Sequence, residues 1–405
     1  MKKLNNCFVI TMMVLIAIFI WFLGCPPSIP ILASQKSVIF LEGKDWFADF
    51  FNMMLYISDE SGYYFSTINE ADGHSGFPLS IAILYPFTLL VDYTGMSLQD
   101  CWASKSAIFS CVSFLIVISF FYWDSLSRLC DKYNVGKYNL VVFLFSSVFI
   151  FSLERANFIF IAAALINYYL TYYDSSSVKL RRFALVCLCI SSTLKGYPVF
   201  FGLLLLKEKR YKDILFCIVF TLLIALVPFA FMDKGFENLP KMIENIGLNS
   251  ASYIHNFSYM FGLHKITYLA CMALHLPETT AEMVISSTRV VELLLLLLSF
   301  VLVLAEKRLY RQCMLIACCI LLFPINSGFY CALYLLPTII VFFEDRLYTK
   351  VDILMMLLLC VVINPLQVNI YSFHLSSLAS NIALVAIWMT IILSSLSMLK
   401  INIIK

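Results

Sequence analysis

Charge is what this chain has least of. Asp, Glu, Lys and Arg together make up only 13% of its 405 residues, whereas a soluble domain spends roughly a quarter of its chain on them. That shortage excludes a water-exposed globular surface. Aromatics, by contrast, make up 16% of residues. Gly and Pro are sparse, at 13 and 12 positions, and there are five His. The 14 Cys form no CxxC pair, no HExxH motif and no Cys/His cluster at ligand spacing, so neither a dedicated metal site nor a disulfide framework is expected. Several, including Cys187, Cys189, Cys318 and Cys319, lie inside apolar runs, where Cys acts as a small hydrophobe. A net charge of +3 requires no nucleic-acid partner.

What the chain has instead is apolar mass: 61% hydrophobic residues, 36 of them Phe, gathered into long runs. A bilayer core takes roughly 20 apolar residues per helix, and backbone groups in lipid must be satisfied within the segment. Repeated apolar runs without period-2 patterning therefore predict an all-α polytopic transmembrane bundle rather than a barrel. About twelve spans can be read off: 8–23, 104–121, 140–153, 158–172, 183–194, 199–206, 214–231, 290–305, 314–323, 329–343, 353–363 and 378–399. The first, followed by Gly24–Cys25–Pro26–Pro27, reads as an uncleaved anchor. With Lys2 and Lys3 in the cytoplasm, nineteen of the 28 Lys and Arg fall in the short inside segments, the bias that sets orientation. Both termini are then cytoplasmic, with two large outer loops at 24–103 and 232–289 inside one membrane domain. This arithmetic requires that Phe77–Val91, interrupted by Pro78 and Pro86, lie at the interface rather than cross. The same holds for Phe257–Leu274, which carries His264 and Lys265.

Most acids and all five His fall on the outer face. Asp45 and Asp49, four apart in an aromatic run, share one helical face. Adjacent carboxylates and partial burial both raise a pKa, which suits a general base. Glu154–Arg155 interrupts two apolar runs, and an isolated cation held at a membrane boundary is expected to be paired or to bind an anion. Lys195, between two short apolar segments and followed by Gly196–Tyr197–Pro198, runs against the positive-inside grain and is a candidate phosphate ligand.

The order of these features resembles the integral-membrane glycosyltransferases of the GT-C fold, and among them glycosyltransferase family 87. The elements are an outer-loop carboxylate, Gly76–Phe77–Pro78–Leu79 with Tyr85–Pro86, Glu154–Arg155–Ala156–Asn157, and Lys195–Gly196–Tyr197–Pro198. The likeness spans residues 1–265. It implies a GT-C-like bundle with interfacial helices in the first outer loop, and an inverting hexosyltransferase taking glucose or mannose from a polyprenyl-phosphate carrier. The acceptor would be a glycan or lipid-linked oligosaccharide such as O-antigen, at the periplasmic face of a bacterial inner membrane. By the same resemblance Asp49 is the catalytic base, with Asp45 as the fallback; Lys195, Tyr197 and Arg155 bind the donor phosphate; and His255, Asn256, Ser258, His74 and Glu154 contact sugar or acceptor. No cofactor or metal is implied. This chain departs from the family pattern in splitting the Tyr–Pro–Pro signal of the interfacial helix and in carrying Ala156 where a Gly is usual. Two other classes remain open: an O-antigen polymerase or ligase, which leans on Arg-rich outer loops, and a lipid-linked sugar flippase or transporter, which places charge near the midplane and repeats internally.

Overall fold

The computed structural model describes residues 2–24, 46–67, 74–254, 259–344, 348–364, 369–370 and 373–404. Asp45, His255, Asn256 and Ser258 lie outside them. The fold is all-α, 79% helical, as expected where apolar segments must satisfy their own backbone. Sheet is confined, among the described residues, to two ribbons of paired dipeptides, Met260–Phe261 with Ser327–Gly328 and Asn369–Ile370 with Phe373–His374.

Four described helices are long and apolar enough to cross a membrane: Lys105–Tyr133, Tyr211–Phe231, Glu278–Ala305 and Ser377–Leu396. Their outward faces carry Phe109, Ile116, Leu215, Leu222, Leu294 and Val301, all more than half exposed. Helix Tyr211–Leu226 buries no residue at all. An apolar helix with nothing against most of its circumference is stable in hydrocarbon and not in water. At the centre, Ile159–Tyr172, Leu309–Leu322 and Leu335–Phe342 are buried almost all round. They form the core against which Val178–Lys195 and Lys105–Tyr133 pack.

Several expected spans are remodelled. The run 140–153 is two helices, Tyr138–Leu144 and Ser147–Glu154. The break falls at Phe145–Ser146, where the Ser146 hydroxyl accepts from Phe149 N–H and opens the second helix, the usual habit of an N-cap serine. Runs 199–206 and 329–343 each begin as 3-10 turns, Tyr197–Gly202 and Phe329–Tyr334. The span expected from 290 starts at Glu278, so much of the expected large outer loop is helical: Asn238–Tyr253, Leu263–Ala273 and the first turns of Glu278–Ala305. In the first outer loop, Pro78–Thr88 has 11 residues with Pro78 in its first turn. At 1.5 Å per residue it is about half a bilayer core long, too short to cross.

A polar network closes one end of the bundle. Arg311 and Arg308 donate to the two oxygens of Asp352 at 2.7 and 3.1 Å, Asp352 completes a capping box with Thr349, and Lys207 donates to Glu306 O. Arg311 stands at the start of helix Leu309–Leu322; Asn326 and Tyr330, just past its end, line a cavity at the other.

Candidate functional site

The cavity encloses about 590 Å³. Helix Ala48–Ile57 faces it with Asp49, Asn52, Met53 and Tyr56, spaced i, i+3, i+4, i+7, which is one helical stripe. Its other side, Phe50, Phe51, Met54 and Leu55, is buried in the core. The start of the helix is sewn to the second expected motif. Phe47 N–H donates to Glu154 O at 2.7 Å and Asp49 N–H to Arg155 O at 3.2 Å.

Both Asp49 oxygens are engaged. Arg155 reaches Oδ1 through Nη2 at 2.5 Å and Nε at 3.1 Å, and Asn157 Nδ2 reaches Oδ2 at 2.6 Å. Ala156, between them, has φ 49°, the left-handed region that glycine adopts without cost. That turn is what lets Arg155 and Asn157 point at one carboxylate, and it explains physically why a Gly would suit the position. Burial raises the Asp49 pKa, but the Arg155 charge, hydrogen bonds from Arg155 and Asn157, and the more distant Lys195 charge outweigh it and hold the carboxyl below its usual value. The raised pKa expected from the sequence is therefore corrected: Asp49 is a firmly ionised carboxylate. Arg155 takes the first of the two roles expected of it, paired through its guanidinium with Asp49.

Lys195 is arranged differently. It ends helix Val178–Lys195, which Gly196 breaks with φ 71° and ψ −65°. Its ammonium lies 4.1 Å from the Phe158 ring centre and 5.3 Å from that of Tyr330. No acid comes within 4.0 Å of it among the described residues. Aromatic faces attract a cation without pairing with it; burial pushes the Lys195 pKa down, opposed by the nearby Cys331 and Asp49, so an anion bound beside it would favour the charged form. Tyr197 also lines the cavity, its hydroxyl 3.1 Å from Cys331 Sγ.

His74 packs against Tyr56 and Tyr63 in tilted contacts, with ring centres 4.9 and 4.4 Å away. Its Nδ1 accepts from Gly76 N–H at 3.3 Å, which puts the proton of the neutral ring on Nε2, beside Met53 Sδ. Burial, reinforced by the Lys195 charge and opposed by Asp49, pushes its pKa down to about 3. His74 is thus a neutral wall of the cavity. Glu154 does not line the cavity; its contribution is the carbonyl that holds Phe47.

The structure thus brings Asp49, Lys195, Tyr197 and His74 around one space, with Arg155 and Asn157 braced behind Asp49. Sequence reasoning missed the neutral polar lining: Asn52, Asn157, Asn249, Ser250, Ser252, Asn326, Tyr253 and Tyr330. The spacing of Asp49, Asn52 and Tyr56 was a legible signal. Asn249 and Asn326 gave none, because they arrive from helix Asn238–Tyr253 and from the turn before Ser327.

Comparison with known families, characterised proteins and solved structures finds no match. Function is accordingly argued from the cavity itself. An ionised carboxylate and a lysine with no acid within 4.0 Å among the described residues share a space lined mainly by amides, hydroxyls and aromatic rings. This equips it to take a hydroxyl proton, to hold an anion, and to stack against and hydrogen-bond a polyhydroxyl ring.

Proposed function

We propose that this protein is an inverting glycosyltransferase of GT-C type that transfers a hexose from a polyprenyl-phosphate carrier to a glycan or lipid-linked acceptor. The observation that carries the reading is Lys195, which has no acid within 4.0 Å among the described residues and faces the same cavity as an ionised Asp49. The charge balance supports a particular donor. Among the described residues around the cavity, Asp49 is paired with Arg155, so Lys195 is the group placed to take up the single negative charge of a hexose phosphodiester.

In this reading the acceptor hydroxyl approaches Asp49 Oδ2, which accepts one hydrogen bond from Asn157, whereas Oδ1 accepts two from Arg155. Oδ2 takes the proton as the acceptor oxygen attacks the anomeric carbon. The bond from that carbon to the phosphate oxygen breaks, and the electron pair leaves with polyprenyl phosphate. The leaving group gains one negative charge in the transition state, so Lys195 stabilises that state more than the bound donor, and this difference is what accelerates a reaction. In this reading the apolar runs make about twelve spans, the cation bias of the sequence puts the termini in the cytoplasm and the cavity on the opposite face, and the family resemblance makes that face the periplasmic side of a bacterial inner membrane.

The deciding experiment supplies membranes with radiolabelled polyprenyl-phosphate glucose, and separately mannose. Transfer of a single sugar to glycan supports the proposal. Chain growth supports a polymerase, and movement of donor across the bilayer without chemistry a flippase. Asp49→Asn is expected to abolish transfer, with the protein still inserted; normal activity in that variant would move the base to Asp45 or end the proposal.

A further inference from the structure

Resting on that reading of the cavity, we infer that Lys265 is a positioning residue: its buried ammonium clasps the C-terminal carbonyls of helix Asn238–Tyr253 and so fixes the wall that carries Asn249, Ser250 and Tyr253.

The helix is an outlying element whose attachment is mostly polar. Its cavity stripe is Ile246, Asn249, Ser250 and Tyr253, spaced i, i+3, i+4, i+7. On the adjoining stripe Asn245 donates to the carbonyls of Tyr64 and His74 at 2.9 and 3.1 Å, and Asn249 donates to Ser75 Oγ at 2.9 Å. Of its apolar residues only Met242 is buried, while Ile243 and Leu248 are exposed. At its N-terminal approach, Lys234 donates to Ser61 O at 2.8 Å and stands 3.7 Å from the Phe65 ring centre.

Its C-terminal end depends on Lys265. The side chain is 0% exposed, and its Nζ donates to Tyr253 O and, at 3.2 Å, to Ile254 O. These are carbonyls that a helix end leaves without intrahelical partners and that carry the negative end of its dipole, so a cation there satisfies both. No acid forms an ion pair with Lys265 among the described residues; the nearby carboxylate, Glu292, is taken up by Arg289 and by the His264 N–H at 2.7 Å. Burying an ammonium is costly unless its hydrogen bonds are made. The two carbonyls are what hold Lys265 in place, and Lys265 holds them in turn.

Gly262 shows that the local fold is shaped for this contact. Its φ is 153°, and a Cβ there would stand 2.6 Å from His264 Cε1 and 3.1 Å from Lys265 Cγ. Only a residue without a side chain lets helix Leu263–Ala273 begin so tightly and turn Lys265 inward.

The groups facing the ammonium are Arg289 and Glu292 from helix Glu278–Ala305, His264 from its own helix, and Tyr253 from the helix it clasps. Burial, helped by Arg289 and opposed by Glu292, pushes the Lys265 pKa down to about 8. The clasp therefore holds below pH 8 and loosens above it.

The test is hydrogen exchange on the full chain in lipid nanodiscs, with transfer from radiolabelled polyprenyl-phosphate hexose measured in parallel across pH. Exchange over residues 246–254, corrected for the intrinsic rate, is expected to rise about tenfold in Lys265→Met, with helix Ile159–Tyr172 unchanged. In the native chain it should rise through a step near pH 8 that Lys265→Arg removes. Equal protection in Lys265→Met and the native chain overturns the inference. Should Lys265→Met fail to insert, the native and Lys265→Arg pH profiles decide, and matching profiles overturn it. Loss of protection with transfer unaffected leaves the clasp standing and sinks the functional reading of the cavity; loss of both, rescued by Lys265→Arg, supports the two together.

Discussion

At the scale of single residues, the site separates two charges that look alike in sequence. Arg155 and Lys195 both interrupt apolar runs, yet one is paired with Asp49 and the other lies over aromatic faces with no acid within 4.0 Å among the described residues. Lys195→Ala is therefore expected to lower turnover of the polyprenyl-phosphate donor by ~10²–10³-fold, the scale of losing one preorganised charge contact at a developing anion. Lys195→Arg should recover part of it, and kinetics with donor and acceptor varied separately would place the loss on the donor. Asp49 and His74 both have depressed pKa values with opposite consequences. Asp49 stays charged through the neutral range. His74 stays neutral, and because the unfolded chain binds a proton near pH 6.5 while the folded ring resists one until about pH 3, acid costs stability. Thermal unfolding of the purified protein should show a melting temperature that falls as pH drops from 6.5 to 5. That fall should shrink in His74→Phe; an identical fall in both would assign it to other groups.

At the scale of elements, backbone conformation does the positioning. Ala156 sits at φ 49° and Gly196 at φ 71°, and each turns a chain end so that a functional side chain faces the cavity. A non-glycine in the left-handed region costs roughly 1–2 kcal/mol, against the ~0.4–1 kcal/mol by which Gly loosens the unfolded chain. Ala156→Gly is expected to raise stability slightly or leave it unchanged. A β-branched Ala156→Val should lower it and weaken transfer by disturbing Arg155 and Asn157. Gly196→Ala has room, since its Cβ would meet Phe77 only at 3.5 Å; its cost is backbone strain, read as a lower melting temperature together with weaker donor use. Melting curves and initial rates on the same preparations separate these effects. Elements also explain where the sequence misled. Ser146 stops a run that is apolar enough to continue, and Glu278–Ala305 starts well before its apolar stretch because a helix does not need hydrophobic residues outside the bilayer.

At the scale of the whole molecule, the outward apolar faces and the buried central helices agree with a chain folded in lipid. The buried Arg311–Asp352 network and the cavity stand at opposite ends of helix Leu309–Leu322. If that helix runs across the bundle as the cation bias requires, reporter fusions at Trp46 and Gly196 should read the same, non-cytoplasmic side, and a fusion at Lys209 the opposite one. A split between Trp46 and Gly196 would break the proposed site, since Asp49 and Lys195 would no longer share a compartment.

Composition and apolar run length by themselves determined that this is an all-α chain with helices long and apolar enough to cross a membrane, because the hydrocarbon requirement acts on each segment separately and leaves its mark in local sequence. The same locality made Asp49 and Lys195 visible, as charges where charge is expensive. Which cation pairs with the carboxylate, what the carboxylate pKa becomes and which amides line the cavity were decided only by tertiary structure. Those properties depend on distances between segments more than a hundred residues apart, such as Asp49 to Arg155 and Tyr64 to Asn245, and on turns whose conformation no side-chain pattern announces.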